Sequence, residues 1–246
     1  MTQPSKILVT GASSGLGREM AQQLARRGDI VLATGRREAR LKDLKSEGSI
    51  SAHVLDLTDT KAVQAFCESL TTLDGLILNA GITFADDFET GNYARDAALV
   101  QTNVLANLQL IRLCLPALKA SKGRILIIAS LAGLTPVPYQ SVYAGTKAFM
   151  VNFGQSLREE LAASNVKVSV FAPGGIKTEM TDIPAMAHLE KSLTPVATVA
   201  TSALKTYDTM PSLYVPGFQN KLVAMLGKIL PRNFLARQAR KIYRKD

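Results

Sequence analysis

The amino-acid sequence predicts an α/β fold, in which a doubly wound parallel sheet of about seven strands lies between two layers of helices. Strand-like and helix-like segments alternate along the chain, as they do when a crossover helix follows each strand. The strand candidates are apolar at nearly every position, which is typical of parallel strands buried on both faces. A glycine-rich turn also joins the first strand candidate to the first helix candidate.

The predicted elements follow one another in a regular order. Apolar runs predict strands at Lys6–Thr10, Ile30–Thr34, Ser51–Leu55, Gly75–Leu78, Arg124–Ala129, Lys167–Phe171 and Leu213–Val215. Apolar residues at helical spacing predict helices at Gly15–Arg27, Glu38–Ser46, Asp59–Leu70, Asn92–Lys119, Ser141–Ala163 and Thr194–Tyr207. No linker or low-complexity segment interrupts this order, so we expect one domain over residues 1–246 with a helical C-terminal extension from about residue 217.

Composition agrees with one large α/β domain. Of the 246 residues 47% are hydrophobic, which is enough for a sizeable core. Cys67 and Cys114 both fall in apolar helical patterns, so we expect small core residues and no disulfide framework. The N-terminus is short and polar, and we expect neither a signal peptide nor an apolar run that spans a bilayer. These features favour a cytoplasmic, soluble protein.

The glycine turn spans Thr10–Gly17 and reads TGASSGLG. Glycine permits a tight turn and lets backbone N–H groups approach a pyrophosphate closely. The following helix N-terminus would face the phosphates with its partial positive charge. The spacing differs from the commoner GxGxxG pattern, so taken alone it also fits a purely structural turn.

A serine, a tyrosine and a lysine stand at a suggestive spacing. Ser130 follows an apolar strand candidate, and Lys147 lies four residues after Tyr143 on a predicted helix. Residues four apart share one helix face, so the ammonium would lie near the phenol and lower its pKa. A tyrosine tuned in this way can pass a proton to or from a substrate oxygen. The serine hydroxyl can meet the same oxygen.

Together these motifs resemble the compact subfamily of the short-chain dehydrogenase/reductase family, from about Lys6 to Thr178. Asn79-Ala80-Gly81, Asn103 and Pro173-Gly174 are further matching pieces. The resemblance implies a Rossmann-type NAD(P)-binding domain and a catalytic tetrad of Asn103, Ser130, Tyr143 and Lys147. It implies that Asn103 distorts its helix and holds a water that passes protons to the lysine.

The resemblance also implies which residues bind the cofactor. They are Gly11, Ser13, Ser14, Gly15, Leu16, Gly17, Arg36, Arg37, Asp56, Leu57, Asn79, Ala80, Gly81, Tyr143, Lys147, Pro173, Gly174, Ile176 and Thr178. We expect Asp56 and Leu57 to contact adenine, with Thr58 or Asp59 capping the next helix. We expect Asn79 to brace a strand and the cofactor ribose.

The end of the second strand candidate indicates which cofactor is preferred. An acidic residue there would hold the ribose 2′-hydroxyl of NAD(H), but the chain has Gly35 followed by Arg36 and Arg37. An arginine fork matches a 2′-phosphate, and Ser13 would add a hydrogen bond. NADP(H) is therefore expected over NAD(H), although a solvated basic helix start would give the same pattern.

The reaction that these residues imply is hydride transfer between NADP(H) and a carbonyl or alcohol, in the direction of carbonyl reduction. The loop Thr178–Leu193 is predicted to cover the substrate with Met180, Ile183, Pro184, Met186, Ala187 and Leu189. These side chains favour a lipophilic ketone or aldehyde. A nucleotide-binding scaffold or sensor on the same fold is the alternative, and an isomerase or dehydratase is a third. No metal site is expected, because His53 and His188 lack ligand spacing.

The C-terminal segment 217–246 is strongly basic. It holds eight cations and one acid, a net charge of +7 in a chain of +9. Apolar residues interleave at helical spacing, and Pro231 divides two predicted helices. Three explanations stay open: a peripheral contact with a membrane surface, a subunit contact, or helices packed on their own domain with a solvated basic face. No nucleic-acid recognition motif accompanies these charges.

Assembly is the last expectation. In this family two long helices, here about Asn92–Lys119 and Ser141–Ala163, pair with their copies about a two-fold axis. Apolar residues on these helices are predicted to form that interface: Leu99, Leu110, Phe149, Val151 and Phe153. The basic extension would obstruct a second interface, so we expect a homodimer.

Overall fold

A parallel sheet organises the computed structural model, which describes residues 4–45, 48–182, 190 and 192–243. In this part of the chain seven strands form the sheet: β1 (Lys6–Val9), β2 (Ile30–Gly35), β3 (Ile50–Val54), β4 (Gly75–Leu78), β5 (Arg124–Ile128), β6 (Lys167–Phe171) and β9 (Leu213–Tyr214). Their spatial order is β3-β2-β1-β4-β5-β6-β9, and every pair is parallel. Two further strands, β7 (Ile176–Lys177) and β8 (Thr194–Pro195), pair with each other.

Helices connect the strands and cover both faces. They are α1 (Gly15–Arg26), α2 (Glu38–Lys45), α3 (Thr60–Glu68), α4 (Tyr93–Val100), α5 (Ala106–Ser121), α6 (Ser141–Glu160), α7 (Val196–Thr209), α8 (Phe218–Ile229) and α9 (Arg232–Tyr243). Side-chain caps begin two of them: Asp59 accepts hydrogen bonds from Lys61 and Ala62, and Asn92 accepts one from Ala94. Of the two predicted caps, Asp59 rather than Thr58 therefore caps α3.

Two apolar clusters, one on each face, hold the layers together. One joins the sheet to α3, α5 and α6, and the other joins it to α1, α2 and α7. Cys67 and Cys114 lie in the first cluster as buried, free thiols with their Sγ atoms 3.8 Å apart. The predicted three-layer, doubly wound architecture is confirmed, and Pro231 separates α8 from α9 as expected.

The helix predicted over Asn92–Lys119 differs in one respect. A π-helical stretch, Gln101–Leu105, lies between α4 and α5. The continuous helix Tyr93–Ser121 is long and apolar enough, by length and composition alone, to cross a membrane, which corrects the expectation that no such run exists. Within the structure 44% of its most apolar window is buried, and Leu110, Ile111 and Leu118 belong to the core, so it is a packing helix of this fold.

Three of the residues predicted to form a subunit interface lie inside this subunit instead. Leu99, Leu110 and Val151 are core residues at no more than 4% exposure. Phe149 is 41% exposed and stacks on Phe153 with ring centroids 5.7 Å apart. An apolar stripe on a helix cannot reveal whether the sheet or a partner covers it, which is why the sequence misplaced these three.

Candidate active site

The carboxyl ends of β1 and β4 meet where the strand order reverses, which is where open sheets of this kind bind ligands. Thr10 joins the two strand ends: its Oγ1 accepts hydrogen bonds from the backbone N–H groups of Asn79 and Ala80, each at 3.0 Å. The Asn79 side chain donates to the Thr10 carbonyl at 2.9 Å. Asn79 therefore braces two strands, as predicted.

In the turn after β1, the backbone or the packing disfavours a side chain at each of the three glycine positions. Gly11 and Gly15 have φ values of +66° and +54°, where a Cβ would be strained. A Cβ on Gly17 would lie 2.4 Å from Asn79 Nδ2, so only glycine allows α1 to approach β4. Ser14, the N-cap residue, makes no side-chain hydrogen bond to the first turn in the described structure. The N-terminal N–H groups of α1 therefore suit an anion.

The segment after β6 lies over this turn. A Cβ on Gly15 would lie 3.4 Å from Thr178 Cγ2, which puts Thr178 beside the turn. Pro173 accepts a hydrogen bond from the N–H of Leu131 at 2.7 Å, which joins its loop to the loop after β5. Ile176 lies in β7. The predicted covering loop continues through residues 183–189 and 191, including His188, and these lie outside the described residues.

The two arginines after β2 have different surroundings. Arg37 forms an ion pair with Glu179 at 2.7 Å, and Arg40 pairs with the same carboxylate. Hydrogen bonds from Arg37 and then Arg40 lower the pKa of Glu179. Arg36 lies close enough to Asp56 to contribute to the lowered pKa of that carboxyl, whose main cause is the N–H of Thr58. Arg36 is therefore the better placed of the two predicted phosphate ligands.

The packing of the fold gives a structural reason for glycine at position 35. A Cβ at this position would lie 3.0 Å from both Cβ and Oγ of Ser13. The end of β2 and the glycine turn are therefore in close contact, and a side chain at position 35 would press on Ser13. The sequence predicted Ser13 as a ligand-site residue and noted that Gly35 is not acidic, but it did not predict this contact.

Lys147 is a buried cation. Its side chain donates a hydrogen bond to the Ile128 carbonyl at 3.0 Å, and the residue is 6% exposed. Desolvation lowers the pKa of its ammonium to about 8. Its Nζ lies 5.7 Å from the centroid of the Tyr143 ring and would lie 3.6 Å from a Cβ on Gly81. The predicted Tyr–Lys pair thus shares one face of α6, and its ammonium lies near Gly81, just beyond the end of β4.

Asn103 lies inside the π-helical stretch and is 1% exposed. Its amide accepts from the N–H of Ile82 and donates to the Ile82 carbonyl, both at 2.9 Å. It also donates to Thr146 Oγ1 at 3.2 Å. Asn107 in turn donates to the Asn103 carbonyl at 2.9 Å. The helix distortion that the family resemblance implied at Asn103 is present.

Ser130 and Tyr143 lie at the ends of neighbouring elements. Ser130 follows β5 in an extended conformation, and its Oγ accepts a hydrogen bond from the N–H of Ala132 at 3.1 Å. Tyr143 is partly exposed in the first turn of α6. A cleft opens beside it, lined by Phe84, Asp86, Asp87, Phe88, Gly91, Asn92, Asp96, Leu99, Tyr139, Gln140, Ser141, Val142 and Tyr143.

Several contacts around this cleft were not predicted. Gln140 donates to Thr83 at 3.2 Å, and Tyr139, at φ +65°, accepts from the N–H of Asp86 at 2.9 Å. Glu179 and Thr146 were likewise missed. These contacts join residues that are often far apart in sequence, and no local pattern marks them. The left-handed backbone of Tyr139 marks a constrained site, but it is visible in the structure and not in the sequence.

No group of three His, Cys, Asp or Glu residues suited to a metal ion occurs within residues 4–45, 48–182 and 192–243. His53 packs edge-on against Phe66 with ring centroids 5.1 Å apart. This contact agrees with the structural role expected for His53.

Comparison with known proteins identifies relatives. The model of the short chain dehydrogenase family matches residues 5–185. A dehydrogenase/reductase SDR family protein 7-like of Anopheles gambiae is 30% identical over 92% of this chain and 76% of its own length. An 11-beta-hydroxysteroid dehydrogenase-like 4A of Arabidopsis thaliana is 34% identical over 80% of this chain and 69% of its own length.

A solved structure is similar over nearly the full length. It is a short-chain dehydrogenase from Sphingobium yanoikuyae in complex with NADPH, with a TM-score of 0.82 and 26% identity. The match covers 98% of this chain and 97% of that one. The shared architecture therefore extends beyond residue 185, where the family model ends, into the C-terminal part of the chain.

Proposed function

This chain belongs to the short-chain dehydrogenase family, and we propose that it is an NADPH-dependent oxidoreductase that reduces a lipophilic ketone or aldehyde. The observation that carries the proposal is the buried ammonium of Lys147 beside the Tyr143 ring. In the described part of the chain no carboxylate lies within salt-bridge distance of this ammonium. An unpaired buried cation is costly, and perturbed ionisable groups cluster at functional sites.

The residues around the glycine turn fit a dinucleotide. The three glycines of the turn Gly11–Gly17 and the N-terminus of α1, which has no side-chain cap, suit a pyrophosphate. Asp56 and Leu57 are proposed to contact adenine, and Thr178, which lies beside Gly15, is proposed to contact the nicotinamide carboxamide. Bound NADPH would supply the hydride that the reduction needs.

The candidate tetrad is proposed to supply the proton that the carbonyl oxygen takes up. Negative charge grows on the carbonyl oxygen during the reduction, and the hydroxyl groups of Ser130 and Tyr143 are proposed to donate hydrogen bonds to it. Tyr143 then gives up its proton to that oxygen. The Lys147 ammonium stabilises the phenolate left behind, and Asn103 holds the local geometry through Thr146 and Ile82.

The preference for NADPH is proposed to rest on Arg36. Glu179 already pairs with Arg37 and Arg40, whereas Arg36 lies near Asp56 at the edge of the adenine site. The absence of an acidic side chain at Gly35 removes the usual partner of a free ribose 2′-hydroxyl. The Sphingobium yanoikuyae structure, solved with NADPH, supports the same cofactor.

The substrate is proposed to be lipophilic. Phe84, Phe88 and Leu99 form an apolar part of the cleft beside Tyr143, whose other lining residues are mostly polar. The Arabidopsis thaliana relative, whose name refers to a hydroxysteroid dehydrogenase, supports a fatty or steroid-like carbonyl compound. We also propose a cytoplasmic location, since a reducing compartment keeps the two buried thiols free.

A panel of aliphatic, aromatic and steroid ketones and aldehydes, followed by NADPH absorbance, tests this function. We expect at least one lipophilic compound to be reduced with a higher kcat/KM for NADPH than for NADH. Tight NADPH binding without turnover across the whole panel would contradict the proposal and favour the nucleotide-sensing scaffold.

A further inference from the structure

The outer face of α8 carries an apolar stripe. Phe218, Leu222, Met225 and Ile229 follow one another at intervals of four, three and four residues, which places them on one side of a helix. Their exposed fractions are 83, 43, 51 and 71%. Contiguous exposed apolar residues of this size are uncommon on soluble proteins unless something covers them.

The opposite face of α8 is seated on the fold. Asn220 packs closely against the loop after β6, since a Cβ on Gly174 would lie 2.6 Å from the Oδ1 atom of Asn220. A Cβ on Gly227 would lie 2.9 Å from Thr135 Cγ2, so α8 also touches the loop after β5 closely. The helix is therefore held by its inner face, and the stripe points away from the protein.

Only positive charge accompanies the stripe. From Gly217 to Tyr243 the sequence has no Asp or Glu. Six cations lie in this segment and all are exposed: Lys221, Lys228, Arg232, Arg237, Arg240 and Lys241. Lys221 and Lys228 are seven residues apart on α8, so both flank the same edge of the stripe.

We propose that α8 and α9 form a docking surface for a membrane that contains anionic lipid. An exposed apolar stripe flanked by cations is what a helix lying in the interface requires, with the stripe among the acyl chains and the cations at the head groups. A second copy of the chain is a poor occupant, because a two-fold contact would set like charges against each other. A nucleic acid would leave Phe218 and Ile229 exposed.

Because α8 lies beside the candidate active site, docking would also serve substrate entry. This role rests on the proposed function. Its inner face contacts the loops of Gly174 and Thr135, which flank the candidate active site. Docking would thus hold the site near the bilayer, from which a lipophilic carbonyl compound could enter. Vesicle binding does not depend on turnover, so failure of this inference and failure of the proposed activity are distinguishable.

Co-sedimentation of the full chain with vesicles tests the charge. We expect binding to vesicles of equal parts phosphatidylcholine and phosphatidylglycerol, and little binding to phosphatidylcholine alone. The double variant Lys221→Gln/Lys228→Gln should bind about 25-fold more weakly, roughly fivefold for each cation. The matched control, Lys61→Gln/Lys205→Gln, removes two exposed lysines on α3 and α7 and should bind as the unmodified protein does.

The double variant Phe218→Ser/Ile229→Ser tests the stripe. It should lose vesicle binding while its thermal unfolding stays unchanged. Ile30→Ser, which removes an exposed apolar side chain at the amino end of β2, should bind normally. Equal binding to neutral and anionic vesicles would overturn the inference, as would unchanged binding by both double variants. Self-association that disappears in Phe218→Ser/Ile229→Ser, without vesicle binding by the unmodified protein, would assign the surface to a second copy and overturn it too.

Discussion

At the scale of single residues, the buried Lys147 ammonium lowers the stability of the fold, while its proposed role is catalytic. Its pKa is lowered by burial from 10.5 to about 8, so the folded protein holds the charged form at a cost of about 3 kcal/mol. Methionine has a similar length and no charge, and removing a buried unpaired charge commonly stabilises a fold. We predict that Lys147→Met loses reductase activity and gains about 1–3 kcal/mol of unfolding free energy near pH 7, after the lost Ile128 hydrogen bond is counted.

The pH dependence of that gain follows from the direction of the pKa shift. Below about pH 8 both states of the wild type are protonated, and the folded state carries the full penalty. Between about 8 and 10.5 the unfolded chain binds the proton more tightly, so wild-type stability rises with pH relative to the variant. Urea unfolding across this range should show the gain shrinking. A variant that is less stable at neutral pH would contradict the cost assigned to Lys147.

The proposed preference for NADPH rests on a single residue, Arg36. We predict that Arg36→Leu lowers kcat/KM for NADPH by about ten- to a hundredfold, the value of a lost charged hydrogen bond, and leaves NADH unchanged. Steady-state kinetics with both cofactors measure this, with Arg26→Leu on α1 as the matched control. An equal loss for both cofactors would mean that Arg36 supports the fold rather than a 2′-phosphate. Gly35→Asp is a poorer test, because its Cβ would lie 3.0 Å from Ser13 and press on the glycine turn.

At the scale of elements, the π-helical stretch holds Asn103 in its buried position beside Ile82. Asn107 donates to the Asn103 carbonyl, and its replacement by Leu would remove this buried hydrogen bond. We predict that Asn107→Leu lowers the unfolding free energy by about 0.5–1.5 kcal/mol and reduces kcat more than it changes the KM for NADPH. Gln109→Leu, which removes an exposed hydrogen bond to Thr60, is the control and should change stability little. Unchanged kcat in Asn107→Leu would show that the hydrogen bond of Asn107 in the π turn does not contribute to catalysis.

The elements themselves were largely predictable, for a physical reason. Continuous apolar runs and glycine or proline boundaries are local signals, so the strands of the sheet and the division of α8 from α9 at Pro231 were found within a residue or two. The Tyr143–Lys147 pair was equally visible, since residues four apart share a helix face. The ion pair of Glu179 with Arg37 joins residues more than a hundred positions apart, and no local pattern encodes it. The distortion at Asn103 was implied by the family resemblance alone, because the sequence pattern of Gln101–Leu105 is that of an ordinary helix.

At the scale of the whole molecule, we propose one domain that assembles as a homodimer through α4–α5 and α6. Leu99, Leu110 and Val151 no longer support that interface, because they are buried within the subunit. Leu105 is 49% exposed, and the Phe149–Phe153 stack remains at the surface of α6. We predict a dimer by light scattering, both for the full chain and after removal of residues 217–246.

The dimer prediction has a matched pair of variants. Phe149→Glu would place a charge in the proposed interface and should give monomers, whereas Phe88→Glu, another exposed phenylalanine, should leave the dimer intact. A tetramer of the full chain would show that the basic C-terminal helices do not block a second contact. Dimers that persist in Phe149→Glu would place the interface elsewhere.

The most direct test of the account is the turnover of Tyr143→Phe, which keeps the aromatic ring and removes the proposed proton donor. With a carbonyl substrate found in the panel, we predict that NADPH oxidation slows by about a hundredfold or more, the usual scale of general acid catalysis. The dissociation constant for NADPH, measured by fluorescence titration, should change little. Near-normal turnover in this variant would contradict the assignment of Tyr143 and, with it, the proposed mechanism.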